Sequence, residues 1–141
     1  MKAKPIFILM LLFGLLSCGK NNSNPVTDQQ SILTGNSTNS VVFTKWKITA
    51  LSIGGIPQTL TASQISYQKQ YSTDGAFSDT DGLKGTWSIP VADSLIEIYT
   101  NFSSNVPVRQ GYNILHLDNS SMILTYNVNT INVTTTYTAI H

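Results

Sequence analysis

Chemistry in this chain has few residues to work with: two histidines, one cysteine, one glutamate and six aspartates. His116 and Asp118 stand two apart, which puts both side chains on one face of a regular strand. Two ligands are too few for a zinc site. A serine triad would have to use His116, and no nucleophile elbow surrounds any serine. The pair therefore reads as polar decoration at the rim of a β domain. His141 is the final residue. Asp79-Thr80-Asp81-Gly82 echoes the start of a calcium loop, but the later ligands, including the closing glutamate, are absent, and a hairpin turn accounts for it. Glu97 lies among Leu95, Ile96 and Ile98. An outward strand position explains it, with a pocket carboxylate as the sharper alternative. No glycine-rich phosphate loop is present. Asp93-Ser94-Leu95 resembles the short acceptor motif for O-glycosylation of some bacteria, although a turn entering a strand explains the same residues.

The aromatic residues are the stronger lead. Six tyrosines, with Trp46 and Trp87, spread over most of the candidate strands. They can line a pocket or stack on sugar rings, and they are also good strand formers with an apolar body and a polar tip. Trp46, Trp87, Tyr112 and Tyr126 are the candidate pocket residues.

The N-terminus reads as an address. Lys2 and Lys4 precede an apolar run from Ile6 to Leu16, too short for a permanent transmembrane helix, which needs about 20 apolar residues. The run ends in Leu15-Leu16-Ser17-Cys18-Gly19, which resembles the lipobox of bacterial lipoproteins. The resemblance implies a signal peptide over 1–17, cleavage before Cys18, and acylation of the Cys18 thiol and its new amino group, for example with palmitate. Two or more acyl chains anchor a protein stably where one does not. Gly19 is not the aspartate associated with inner-membrane retention, so the resemblance places the chain in the cell envelope and favours the outer membrane, with the face left open. With Lys2 and Lys4 gone, six bases face seven acids, which leaves no electrostatic footprint for nucleic acid.

Residues 18–40 are dominated by Asn, Ser, Thr and Gln, with Val26, Ile32 and Leu33 the large apolar exceptions. So polar a segment buries too little surface to offset its ordering entropy, and it is expected to be a flexible linker.

From residue 41 to 141 the pattern changes to short runs rich in Val, Ile, Tyr and Thr separated by turn residues, the signature of one all-β domain. Only 11% of residues are charged. One cysteine allows no intrachain disulfide. Strands are expected over 44–53, with a bulge near Ala50, and over 56–60, 65–71, 76–78, 84–89, 94–100, 111–117, 122–128 and 132–139. Thr73-Asp74-Gly75 and Asp81-Gly82 mark turns, and Thr61-Ala62-Ser63-Gln64 caps one helical turn at most. Tight sequential connections favour an up-and-down meander, and closing it removes the exposed edges.

Thr44-Lys45-Trp46-Lys47-Ile48, Tyr71-Ser72-Thr73-Asp74-Gly75-Ala76-Phe77, Gly85-Thr86-Trp87-Ser88-Ile89, Ser94-Leu95-Ile96-Glu97-Ile98, Tyr112-Asn113-Ile114 with Leu117, and Met122-Ile123-Leu124 together resemble the small lipocalin-like domains of bacterial lipoproteins. Thr44 stands where lipocalins carry the glycine of Gly-x-Trp. The resemblance implies an antiparallel β-barrel of about eight short strands and a non-enzymatic module without cofactor, holding a small apolar ligand. The alternative is a carbohydrate- or protein-binding accessory lipoprotein using an exposed aromatic surface. Eight strands enclose just enough room for side chains or one small ligand. The expected interior, filled by residues that include Ile96, Ile98, Tyr112 and Tyr126, is a largely packed core with at most a shallow cup at one end.

Overall fold

A computed structural model describes residues 24–35, 43–100 and 105–140. The expected signal peptide over 1–17, Cys18 and His141 lie outside the described residues.

Alternation of apolar and polar residues, punctuated by turn formers, builds nine strands: β1 (Phe43–Ile53), β2 (Ile56–Gln58), β3 (Gln68–Ser72), β4 (Ala76–Asp79), β5 (Lys84–Val91), β6 (Ser94–Thr100), β7 (Pro107–Leu117), β8 (Ser121–Val128) and β9 (Ile131–Ile140). From β3 to β9 each pairs antiparallel with the next, and β1 pairs with both β3 and β9, so eight strands close into an up-and-down barrel. β2 folds back on the end of β1 as a flap outside that circuit. Closure satisfies both edges of the meander, which would otherwise present unpaired backbone groups. The register of β1 against β9 shifts between Ile48 and Ala50, a bulge where the sequence pattern changes phase. Glycine is required at Gly85, in β5. A Cβ there would overlap the Ile98 carbonyl oxygen and lie 2.8 Å from Phe77 Cε1.

Two short helices accompany the barrel. α2 (Ala62–Ser66) is the single turn expected, and it carries a capping box in which Thr61 and Gln64 each accept from the other's backbone N–H. It runs through Ile65, where the residue pattern predicts the start of a strand, and Ile65 is exposed as a result.

The other helix, α1 (Pro25–Thr34), replaces a flexible linker over those ten residues of the expected 18–40 stretch, of which 18–23 and 36–40 lie outside the described residues. Asn24 caps its N-terminus by accepting from Val26 N–H, Pro25 opens it, and Gly35 ends it in the left-handed conformation at φ 81°. Local propensity alone would leave ten such residues marginal. Tertiary contact holds them: Leu33 is fully buried, and Trp46 Nε1 donates to its carbonyl at 2.9 Å. Gln29 also clasps the β5–β6 turn, its Nε2 2.6 Å from Asp93 Oδ1 and its Oε1 accepting from Asp93 N–H. Burying one leucine side chain contributes about 2 kcal/mol. α1 thus joins the core cluster, which includes Trp46, Tyr71, Phe77, Trp87, Leu95 and Met122.

Candidate functional site

The interior is packed toward α1 and hollow toward the other end. A cavity of about 430 Å³ opens there, larger than the shallow cup expected from strand length. Its aliphatic wall comes from Ile48, Leu51 and Ile53 of β1, Val133 of β9 and Leu60 beside α2. The bulge between Ile48 and Ala50 is what turns Leu51 and Ile53 to the inside after Ile48. Tyr67, Tyr112, Tyr126 and Tyr137 supply aromatic surface, with Lys69 among them. Asp81 stands exposed at the mouth.

The polar centre of the barrel is a Lys69–Glu97 ion pair, 5% and 1% exposed. Lys69 Nζ lies 2.7 Å from both Glu97 Oε1 and Oε2 and donates to Tyr112 Oη at 3.1 Å. Tyr112 Oη donates in turn to Glu97 Oε2 at 3.1 Å, and Tyr71 donates to Oε1. The ammonium also sits 4.8 Å from the centroid of the Tyr112 ring. Since β3 and β6 are separated in the barrel by β4 and β5, this pair is a strut across the interior. Low dielectric makes such a network costly when incomplete. This one is complete: among the described residues no buried side-chain nitrogen or oxygen lacks a partner.

Glu97 therefore corrects the outward reading. Alternation along β6 puts Leu95 and Glu97 inside, and Ile98, expected in the core, is 43% exposed on the outer face with Ile96 half-buried beside it. Hydropathy selected the wrong face because the buried acid is compensated by a lysine 28 residues away. Lys69 was missed for the same reason. The signal that could have found it is Tyr67-x-Lys69-x-Tyr71, which places the lysine in phase with two inward tyrosines.

Burial holds the tyrosine hydroxyls in their neutral form. Tyr67, Tyr71, Tyr112 and Tyr137 all titrate well above the usual tyrosine value, first because ionisation in the interior forfeits hydration, then because carboxylates lie near. For Tyr67 the carboxylate is Asp79, whose Oδ2 accepts its hydroxyl at 2.9 Å.

Of the candidate pocket residues, Tyr112 and Tyr126 line the cavity, their rings edge to face at 5.4 Å. Trp46 and Trp87 do not line it, although Trp87 borders a second hollow of about 420 Å³ between α1 and the β3–β4 turn. Both are core residues whose indoles cap backbone carbonyls, Trp46 that of Leu33 and Trp87 that of Ser72 at 2.9 Å. His116 and Asp118 form a surface pair at 2.9 Å, and neither takes part in the Lys69–Glu97 network. Asp118 titrates below the ordinary carboxylate range because Ser120 and Ser121 N–H groups, the Ser120 hydroxyl and His116 all bond its charged form. Asp79 and Asp81 lie at the β4–β5 turn, where Asp79 Oδ1 accepts from Leu83 N–H. Among the described residues no group of three His, Cys, Asp or Glu side chains could hold a metal ion.

No family model, no curated protein and no solved structure matches this chain.

Proposed function

We propose that this chain is a lipid-anchored, extracytoplasmic binding module whose barrel holds one small ligand with apolar surface, without catalysing a reaction on it. The supporting observation is the asymmetry of the barrel. α1 plugs one end, while the other opens into a cavity of about 430 Å³ walled by aliphatic side chains and tyrosines. A concave, mostly apolar hollow with a few placed polar groups is the usual form of a small-molecule site. The alternative reading needs an aromatic outer face, and among the described residues Phe43 is the one exposed aromatic side chain, with no tyrosine or tryptophan beside it. The anchor would be acyl chains on Cys18, in the outer membrane. Only five residues separate Cys18 from Asn24. A chain of that length spans at most about 20 Å.

Displacement fluorescence with the neutral probe N-phenyl-1-naphthylamine tests the cavity. Wild-type protein should take up the probe, and Leu51→Trp, which fills the mouth, should weaken uptake by about tenfold through loss of apolar contact. Equal uptake by both proteins refutes the site. Palmitate labelling of whole cells tests the anchor: Cys18→Ser should abolish incorporation, and undiminished label would refute lipidation.

A further inference from the structure

We infer that the ligand of this cavity is electrically neutral where it is buried, an uncharged amphiphile such as a long-chain alcohol or ester, and not a fatty acid, a phosphate ester or an organic cation. The inference rests on the binding reading above and concerns the same cavity. It follows from an inventory of charge around the hollow.

One cationic side chain lines the cavity, Lys69, and its charge is already matched. Both carboxylate oxygens of Glu97 stand 2.7 Å from Nζ, and Tyr112 Oη takes a further contact. An anionic headgroup reaching Lys69 would have to displace Glu97 or share the ammonium with it. Displacement strands a carboxylate that is 1% exposed. Sharing sets two anions side by side in a medium of low dielectric. A cationic headgroup meets the converse problem, because Glu97 is held by Lys69, Tyr71 and Tyr112, Asp79 is engaged by Tyr67, and Asp81 stands in solvent at the mouth and not in the buried part of the hollow. The four wall tyrosines add hydroxyls and ring faces but no charge, being kept protonated by burial.

Around the mouth, charge is found at the β4–β5 turn, where Asp79 accepts from the Tyr67 hydroxyl and Asp81 stands in solvent. No Asp, Glu, Lys or Arg occurs between Leu51 and Ser66, the stretch that forms the end of β1, the β2 flap and α2, and none follows Asp118 through β8 and β9. In their place Ile53, Ile56, Val128 and Ile131 are exposed at the hairpin ends. Asp81 is the one charged residue of the lining besides Lys69, and it stands in solvent. What the cavity offers a guest is aliphatic contact and neutral hydrogen bonds, and burying an unpaired charge in such a setting is strongly unfavourable.

Decanol, decanoate and decyltrimethylammonium share one tail and differ in charge, so competition of each against N-phenyl-1-naphthylamine isolates the headgroup. On the wild-type protein, decanol should displace the probe at concentrations about tenfold or more below either charged analogue, the penalty for burying an uncompensated charge. Decanoate or decyltrimethylammonium competing as well as decanol overturns the inference while leaving the binding cavity intact. Failure of all three to displace a probe that wild type binds and Leu51→Trp does not would also overturn it, since a neutral tail is then no guest. If the probe is not bound at all, the binding reading itself falls. Glu97→Gln uncovers Lys69, so decanoate should gain about tenfold on decanol in that variant, as an unpaired buried cation recruits an anion. The doubly neutral Lys69→Met/Glu97→Gln protein, which strands no charge, should keep the wild-type order, and a switch to decanoate there would contradict the role given to the ion pair.

Discussion

Replacing Lys69 by methionine keeps the length and most of the volume of the side chain and deletes its charge. What remains is Glu97, almost without solvent contact, with the Tyr71 and Tyr112 hydroxyls as its donors. The two charges stand 2.7 Å apart. The gross attraction lost is about 6 kcal/mol at an effective dielectric constant of about 20, and the released cost of desolvating the ammonium offsets part of it. Removing one partner of a buried pair costs about 3–5 kcal/mol on balance, a large share of the roughly 5–15 kcal/mol that holds a domain together. Glu97→Gln should fall in the same range, because it leaves the ammonium unmatched. The doubly neutral Lys69→Met/Glu97→Gln protein should lose only about 1–2 kcal/mol, so the two single losses together exceed the double loss by about 4 kcal/mol or more, which is the coupling between the two sites. Urea denaturation followed by circular dichroism, with equal slopes across the four proteins, supplies the four free energies. A Lys69→Met protein within about 1 kcal/mol of wild type, the range of solvent-exposed pairs, would refute the claim that the strut is dry and structural.

Two further outcomes follow from the same structure. Leu33 is fully buried, and its carbonyl holds the Trp46 indole. Leu33→Ala, which empties the contact between α1 and Trp46, should destabilise the protein by about 2–5 kcal/mol and expose α1 to protease, whereas an unchanged urea midpoint would mean that the plug carries none of the stability. Alkaline pH should unfold the barrel: Tyr67, Tyr71, Tyr112 and Tyr137 titrate higher in the fold than the ordinary value of 10.0, so their contribution is complete below that pH and is lost above it. The loss is about 1.4 kcal/mol per pH unit for each tyrosine the fold keeps protonated. Tyrosinate absorbance should therefore rise together with loss of near-ultraviolet circular dichroism. Ionisation of these four tyrosines in a still-native protein would contradict their burial.

The strands, the turns at Asp74-Gly75 and Asp81-Gly82, the bulge before Ala50 and the Thr61–Gln64 capping box were legible in the residues because each depends on neighbours within a few positions of the chain. Trp87 and Ile89 follow the alternation of their strand and are buried as it predicts. α1 was hidden by its composition. Ten polar-leaning residues do not fold on propensity, and the marks that flank them, Asn24-Pro25 before and Gly35 after, state where a helix would start and stop without stating that anything would hold it. Its support is a tryptophan 13 residues further along the chain.

The inward face of β6 shows the division most clearly. From the order of residues alone came an all-β chain, its punctuation and the closing logic of a meander, since backbone geometry and hydropathy act locally and repeat with a period of two. The fold alone decided that Glu97 turns inside and Ile98 out, that Tyr112 and Tyr126 face the tyrosine-lined cavity while Trp46 and Trp87 do not, and that α1 covers one end of the barrel. A buried charge is tolerable only beside its counter-charge, and the strand carrying Lys69 comes opposite the strand carrying Glu97 only once the barrel has closed.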